Sequence, residues 1–130
     1  MLVTAGIILK EGKILIAKRE EGKWEFPGGK VEDGEEIEEC LKRELKEELN
    51  ININIHINIV KPFIKVKQSD IELHAFLVLC NEKPVAKIHK ELRWIDIDEI
   101  DRYDFMDADK KIVEELKKVK NELVVFKSSF

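Results

Sequence analysis

Cysteine is scarce in this chain. Cys40 and Cys80 are the only two, too few for a disulfide framework and not in the CxxC spacing of a metal pair. A reduced, cytoplasmic compartment is expected. No apolar run approaches the ~20 residues that cross a bilayer. The apolar start, residues 1–10, lacks a basic leader and a small-residue cleavage site, so no membrane partner is expected. A basic surplus is also missing: the net charge is −4, which leaves a nucleic-acid polymer without its cationic footprint. Repeats, linkers and low-complexity stretches are absent as well. What remains is a 130-residue chain, 44% apolar and 38% charged, sized for a single globular domain over residues 1–130. The expected assembly is a monomer or a homodimer.

The modest net charge conceals its distribution. Residues 30–49 carry nine acids and four bases, so this one stretch holds more than the whole imbalance. Such a concentration disfavours phosphate backbones and favours cations. Most charge runs are solvated helix faces, and helical phase decides whether this one is.

Residues 35–50 form the clearest helix, preceded by Asp33-Gly34 and closed by Asn50, a residue suited to the left-handed end position. At about 100° per residue, Ile37, Cys40, Leu41, Leu45 and Leu49 define an inward stripe. Glu39, Lys42 and Lys46 fall on the solvent side. Glu44 and Glu48 fall in the middle of the stripe, with Glu47 at its edge. Three carboxylates three and four residues apart then face protein, with stems within ~5–6 Å. At an effective dielectric of ~20 each pair repels by roughly 3 kcal/mol. Unpaired inward charge costs stability. The carboxylates are therefore protonated, paired with bases, or hold divalent cations; Arg43 reaches Glu47 but cannot neutralise three acids. Clustered hard oxygen ligands suit Mg²⁺, with Mn²⁺ as a substitute.

The remaining elements frame this helix. Residues 2–9 and 13–18 read as a hairpin around Glu11-Gly12. Residues 24–26 form a short segment stopped by Pro27-Gly28-Gly29. Residues 51–60 alternate Ile with polar residues, the pattern of a strand with one buried face, and Pro62 interrupts or bends it. Residues 63–67, 71–80 and 91–95 are further strands. Residues 98–101 are a turn of helix, and residues 108–120 a second amphipathic helix. The order β-β-α-β-β-β-β-α predicts an α/β fold with a mixed sheet covered by helices. Pro27-Gly28-Gly29 is either an ordinary turn or a place where backbone approaches a ligand closely, offering a carbonyl oxygen to the same ion.

Gly29, five residues, Glu35, seven residues, then Arg43-Glu44-Leu45-Lys46-Glu47-Glu48-Leu49-Asn50-Ile51 resembles the Nudix box, GX5EX7REUXEEXGU. Every defined position matches except Asn50, where the family has glycine. Residues 24–29 (WEFPGG), 71–76 (IELHAF) and 91–94 (ELRW) also resemble the MutT-type branch, so the resemblance covers nearly the whole chain. It implies the Nudix fold, a mixed sheet sandwiched between helices, and a Mg²⁺-dependent hydrolase that converts a nucleoside triphosphate to the monophosphate and pyrophosphate. Nucleotide-pool sanitation is the implied task, with 8-oxo-dGTP or a CTP-type substrate.

The resemblance also implies roles. Glu44 and Glu48 are metal ligands, Glu47 ligates or bridges through water, and the Gly28 carbonyl completes the site. Glu44 is the general base, with Arg43 orienting the carboxylates and Glu35 supporting the loop. Arg19 contacts substrate phosphate or is a surface arginine at a strand end. Phe26 and Gly29 line the substrate site, Phe26 alternatively serving the core. Asp109 contacts the base or caps the last helix. The late-loop acid of MutT-type enzymes falls here on Ile88, and His89 or Glu91 stands in for it. Two rival readings are an ADP-ribose or nucleotide-sugar pyrophosphatase, whose usual proline lies further past the box than Pro62, and a non-catalytic Nudix-like binding module, which typically loses box acids that this chain keeps.

Overall fold

A computed structural model describes residues 1–54 and 59–120. Strands β1 (Leu2–Lys10) and β2 (Lys13–Lys18) form the expected hairpin, with Glu11 and Gly12 both at positive φ in its turn. Strand β3 (Trp24–Glu25) follows, then helix α1 (Ile37–Leu49), β4 (Ile59–Gln68), β5 (Ile71–Leu79), β6 (Glu91–Ile95), a 3-10 turn (Ile97–Arg102) and helix α2 (Asp107–Lys118). β1 lies parallel to β5, and the other pairings are antiparallel. The mixed six-stranded sheet is thus as the sequence implies.

Alternation along the strands sends side chains to two cores. Ala5, Ile7, Leu9, Ile14 and Ile16 join the α2 side with Ile112 and Leu116. Ile8 and Leu15 join the α1 side with Leu41, Leu45 and Leu49. Gly6 lies between, where an added Cβ would meet Leu41 Cδ1 at 3.3 Å. Removing a side chain there lets α1 settle close to the sheet. The two helices cover opposite faces, giving an α/β/α sandwich.

One expectation fails. Residues 51–54 are not a strand, although Ile51 and Ile53 are buried against the α1 core. Their alternation reports which side chains point inward, not whether a ladder partner exists; the Asn52 amide instead donates to Glu82. Ile55 and Ile57 lie outside the described residues. The two strands expected on either side of Pro62 are one strand, β4, with a register shift between Pro62 and Ile64 that accommodates the missing N–H.

Two arrangements place the functional region. After its first residues β2 leaves β1 to pair with β3 and β6. The freed edge of β1 is taken by residues 27–31: Gly6 N–H donates to Pro27 O, Thr4 N–H to Gly29 O, and Val31 N–H to Leu2 O. The glycine loop is therefore laid along a strand. Asn50, at φ 56 and ψ 31, closes α1 so that the amides of residues 50 and 51 return to the carbonyls of Lys46 and Leu45. Asparagine thus performs the left-handed turn that the family assigns to glycine.

Candidate active site

α1 presents its acids to the glycine loop, but unequally. Glu48 is buried, at 5% exposure, and its Oε2 accepts the Gly28 amide at 3.0 Å. Glu44 is half-buried, its carboxyl packed on Gly29 so closely that a Cβ there would lie 2.4 Å from Glu44 Cδ. Glu47 is exposed, which corrects the expectation of three inward carboxylates. It lies at the edge of the stripe, where its long side chain reaches solvent and meets Arg43 at 3.3 Å.

Arg43 ties the acidic elements together. Its Nε and Nη2 donate to the two oxygens of Glu35 at 2.8 and 3.1 Å, its Nη1 to Glu44 Oε1 at 2.9 Å, and its Nη2 to Lys30 O at 3.1 Å. Glu35 also accepts the Glu32 amide, and these bonds hold its carboxyl down at about 2. Glu35 thus ties the loop at Glu32 to Arg43 of α1.

Burial acts in the other direction on the inward pair. It pushes Glu48 up to about 8, and neighbouring Glu44, Glu25 and Glu47 add to the rise. Glu44 is raised by burial too, against the opposing pull of Arg43. Among the described residues no Arg or Lys forms an ion pair with Glu48. A buried carboxyl crowded by carboxyls is the chemistry of an oxygen site for a divalent cation. Glu44 and Glu48 bring carboxyl oxygens to the glycine loop, the donor chemistry that suits such an ion.

Beside these acids opens a cleft of about 430 Å³, lined by residues that include Arg19, Glu25, Phe26, Glu48, Ile88, His89 and Asp109. Arg19 donates to Glu21 at 2.5 Å and to Glu25 at 3.2 Å. Phe26 is both core and cleft wall, stacked on Phe105 with centroids 5.2 Å apart. Asp109 accepts the Phe26 amide at 3.3 Å, and burial pushes its carboxyl up to about 7. It lies in the first turn of α2 and reaches across the chain to the Phe26 amide.

The structure also brings in residues that sequence reasoning left aside. Glu25 was assigned no role; it accepts from Arg19 and meets His89 Nε2 at 2.8 Å. Of the two stand-ins for the late-loop acid, His89 enters the cleft whereas Glu91 pairs with Arg93 on the surface. The sequence signal for Glu25 is its place beside Phe26 in the WEFPGG segment; its position opposite Ala17 of β2 is visible only in the fold.

Residues 2–116 match the NUDIX domain. The chain belongs to the Nudix family. It is 32% identical to an 8-oxo-dGTP diphosphatase of Buchnera aphidicola over 123 residues, covering 90% of this chain and 93% of that protein. It is 36% identical to the CTP pyrophosphohydrolase of Escherichia coli over 118 residues, covering 86% and 87%. Among solved structures, one from a study of MutT of Aliivibrio salmonicida and Vibrio cholerae superposes with a TM-score of 0.79 at 31% identity, covering 88% and 94%. The E. coli ORF135 protein gives 0.80 at 32%, covering 92% and 89%. The fold is the Nudix fold and the protein is a Nudix hydrolase, a family that generally uses divalent metals. No helix among the described residues is long and apolar enough to cross a membrane.

Proposed function

We propose that this Nudix hydrolase is a single-domain, cytoplasmic enzyme that uses Mg²⁺ to convert a nucleoside triphosphate to the monophosphate and pyrophosphate, in the service of nucleotide-pool sanitation. The observation that carries the reading is Glu48: a buried carboxyl beside Glu44, with no Arg or Lys ion pair among the described residues, at the wall of a cleft of about 430 Å³. Names borne by relatives, 8-oxo-dGTP diphosphatase and CTP pyrophosphohydrolase, support the substrate class.

Glu44 and Glu48 would hold the cation, with Glu47 ligating or bridging through water and the Gly28 carbonyl as a further donor. Such a cation, when bound, would supply Lewis acidity toward the attacking water and charge neutralisation toward the phosphates. Glu44, raised by burial yet held by Arg43, takes the water's proton as general base. Arg43 fixes its orientation. Arg19 meets phosphate at the cleft mouth, Phe26 and Gly29 line the nucleoside, and Asp109 meets the base edge. As a carboxylate Asp109 accepts from N4 of cytosine or from the N7–H of an oxidised guanine.

The test is a screen of Mg²⁺-dependent pyrophosphate release across normal, oxidised and methylated (d)NTPs, with ADP-ribose included. Triphosphates are expected to be turned over fastest, and Glu48→Gln to abolish turnover while the thermal melt stays cooperative. Equal or faster cleavage of ADP-ribose refutes the triphosphate assignment. Unchanged turnover in Glu48→Gln refutes the site.

A further inference from the structure

At the cleft, Arg19 is held by two acids of unequal freedom. Its backbone sits in the tight turn after β2, where its amide donates to Lys23 O and its carbonyl accepts from the Gly22 amide. With the backbone fixed, the direction of the guanidinium is left to side chains. Nε donates to Glu21 and Nη1 to Glu25 Oε1, and among the described residues Nη2 has no hydrogen bond. The Glu21 side chain is 50% exposed, whereas that of Glu25 is 18% exposed.

A histidine adds to the difference between the acids. Glu25 Oε2 meets His89 Nε2 at 2.8 Å. A carboxylate only accepts, so Nε2 donates, and the two oxygens of Glu25 serve two different partners. His89 is buried, and its Nδ1 has no hydrogen bond among the described residues. Its segment is pinned on both sides, the Lys87 amide donating to Glu48 O and the Lys90 amide to Lys18 O. His89 thus stands on backbone that joins the end of α1 to the end of β2, next to Arg19.

Without the ring, both oxygens of Glu25 would be free to turn to Nη1 and Nη2 and close on the guanidinium as a bidentate pair, the strong form of this contact. Little of Arg19 would then remain for an anion. With the ring in place, Glu25 steers Arg19 through one oxygen. The lateral edge of the fork, Nε with Nη2, becomes available to a phosphate once the exposed Glu21 swings into solvent.

We propose that His89 and Glu25 are positioning residues for substrate binding: His89 limits Glu25 to a single-oxygen hold, so that Arg19 exchanges Glu21 for a phosphate of the nucleotide without being captured by Glu25. Both act through Arg19. The proposal rests on the reading that Arg19 meets phosphate, and names what keeps it able to do so.

The experiment titrates the full chain with inorganic triphosphate and Mg²⁺ by calorimetry, which reads phosphate contact without a base, and measures kcat and KM for dCTP and dGTP alongside. His89→Ala should weaken triphosphate binding and raise KM about tenfold, with kcat within about threefold of the wild type. His89→Gln keeps an amide donor for Glu25 and should restore most of that affinity. Adding Glu25→Gln to His89→Ala should also recover it, since a neutral amide does not capture the guanidinium as a carboxylate does. Equal losses in His89→Ala and His89→Gln, a fall in kcat with KM unchanged, or no recovery in the double variant overturns the proposal. If the His89 variants fail to fold, Glu21→Gln decides: it should tighten triphosphate binding, and unchanged or weaker binding overturns the exchange. Arg19→Ala with unchanged triphosphate affinity removes the contact and the proposal together, while turnover that depends on Glu48 leaves the proposed function standing. A wild type that binds triphosphate through Arg19 yet turns over no nucleotide overturns the proposed function instead.

Discussion

The Gly28 amide and the Glu48 carboxylate meet at 3.0 Å, joining a loop laid along β1 to the last turn of α1. That single bond sets the depth at which the acid lies. It also offsets only part of the cost of burial, since Glu48 remains pushed up to about 8.

This has a consequence for pH. Without a cation, folded Glu48 keeps its proton to about pH 8, whereas the unfolded chain loses it near 4.5. Between those values the folded state binds more protons, so rising pH favours unfolding. Asp109, pushed up to about 7, acts with the same sign over its own range. Glu35, held at about 2, acts oppositely but only in acid. Melting in a chelator should therefore show stability falling from about pH 5 to about pH 8, and Glu48→Gln should flatten the fall. A melting temperature that rises across this range contradicts the burial of Glu48. Added Mn²⁺ or Mg²⁺ should restore most at the alkaline end, because ligands bind deprotonated.

Adjacent glycines should fail differently. A Cβ at Gly28 would lie 2.0 Å from the Thr4 carbonyl oxygen, and backbone on a sheet edge has little room to yield. Gly28→Ala is expected to cost about 1–3 kcal/mol in urea unfolding. A Cβ at Gly29 would instead meet the Glu44 carboxyl, the end of a side chain that can swing away. Gly29→Ala should keep stability within about 1 kcal/mol and lower turnover by on the order of 100-fold. Equal effects of both changes on stability would show that Glu44 is not seated on Gly29.

Arg43 is expected to tolerate no conservative exchange. Its planar fork bonds both oxygens of Glu35 while Nη1 holds Glu44, and lysine has one point charge to offer. Arg43→Lys should lower kcat by about 10–100-fold. Glu35→Gln, which keeps an acceptor, should lower it less. A kcat unaffected by Arg43→Lys, with pyrophosphate release as the readout, would remove the orienting role.

How much of this was legible in the sequence follows from what each signal measures. Phase around α1 located Glu48 correctly because burial follows the helix face. It misplaced Glu47 because a residue at the edge of a stripe carries a long side chain that chooses solvent. Alternation found the inward Ile51 and Ile53 yet not the absence of a strand, since pairing depends on a partner that local pattern does not encode. Asn50 was read correctly because left-handed geometry is a property of one residue. The meeting of Glu25 with His89, 64 positions apart, was invisible because nothing local in either segment encodes that both lie beside β2.

Asp109 has one observed contact, the Phe26 amide, and one proposed role at the base edge. Its Oδ1 accepts the Phe26 amide, so removing it disturbs Phe26 as well as any base edge. Asp109→Asn keeps an acceptor for that amide and adds a donor; Asp109→Ala keeps neither. If the carboxyl reads the base, Asp109→Asn should reorder the (d)NTP substrates by about tenfold or more in relative kcat/KM, with a smaller drop on the best of them. Thermal stability should change little, because the bond to Phe26 survives. If instead the residue only anchors Phe26, Asp109→Asn should leave the ranking intact, and Asp109→Ala should slow all substrates together. Relative rates across cytosine, guanine and oxidised-guanine triphosphates separate the two, since a lost anchor lowers every rate whereas a lost reader changes their order.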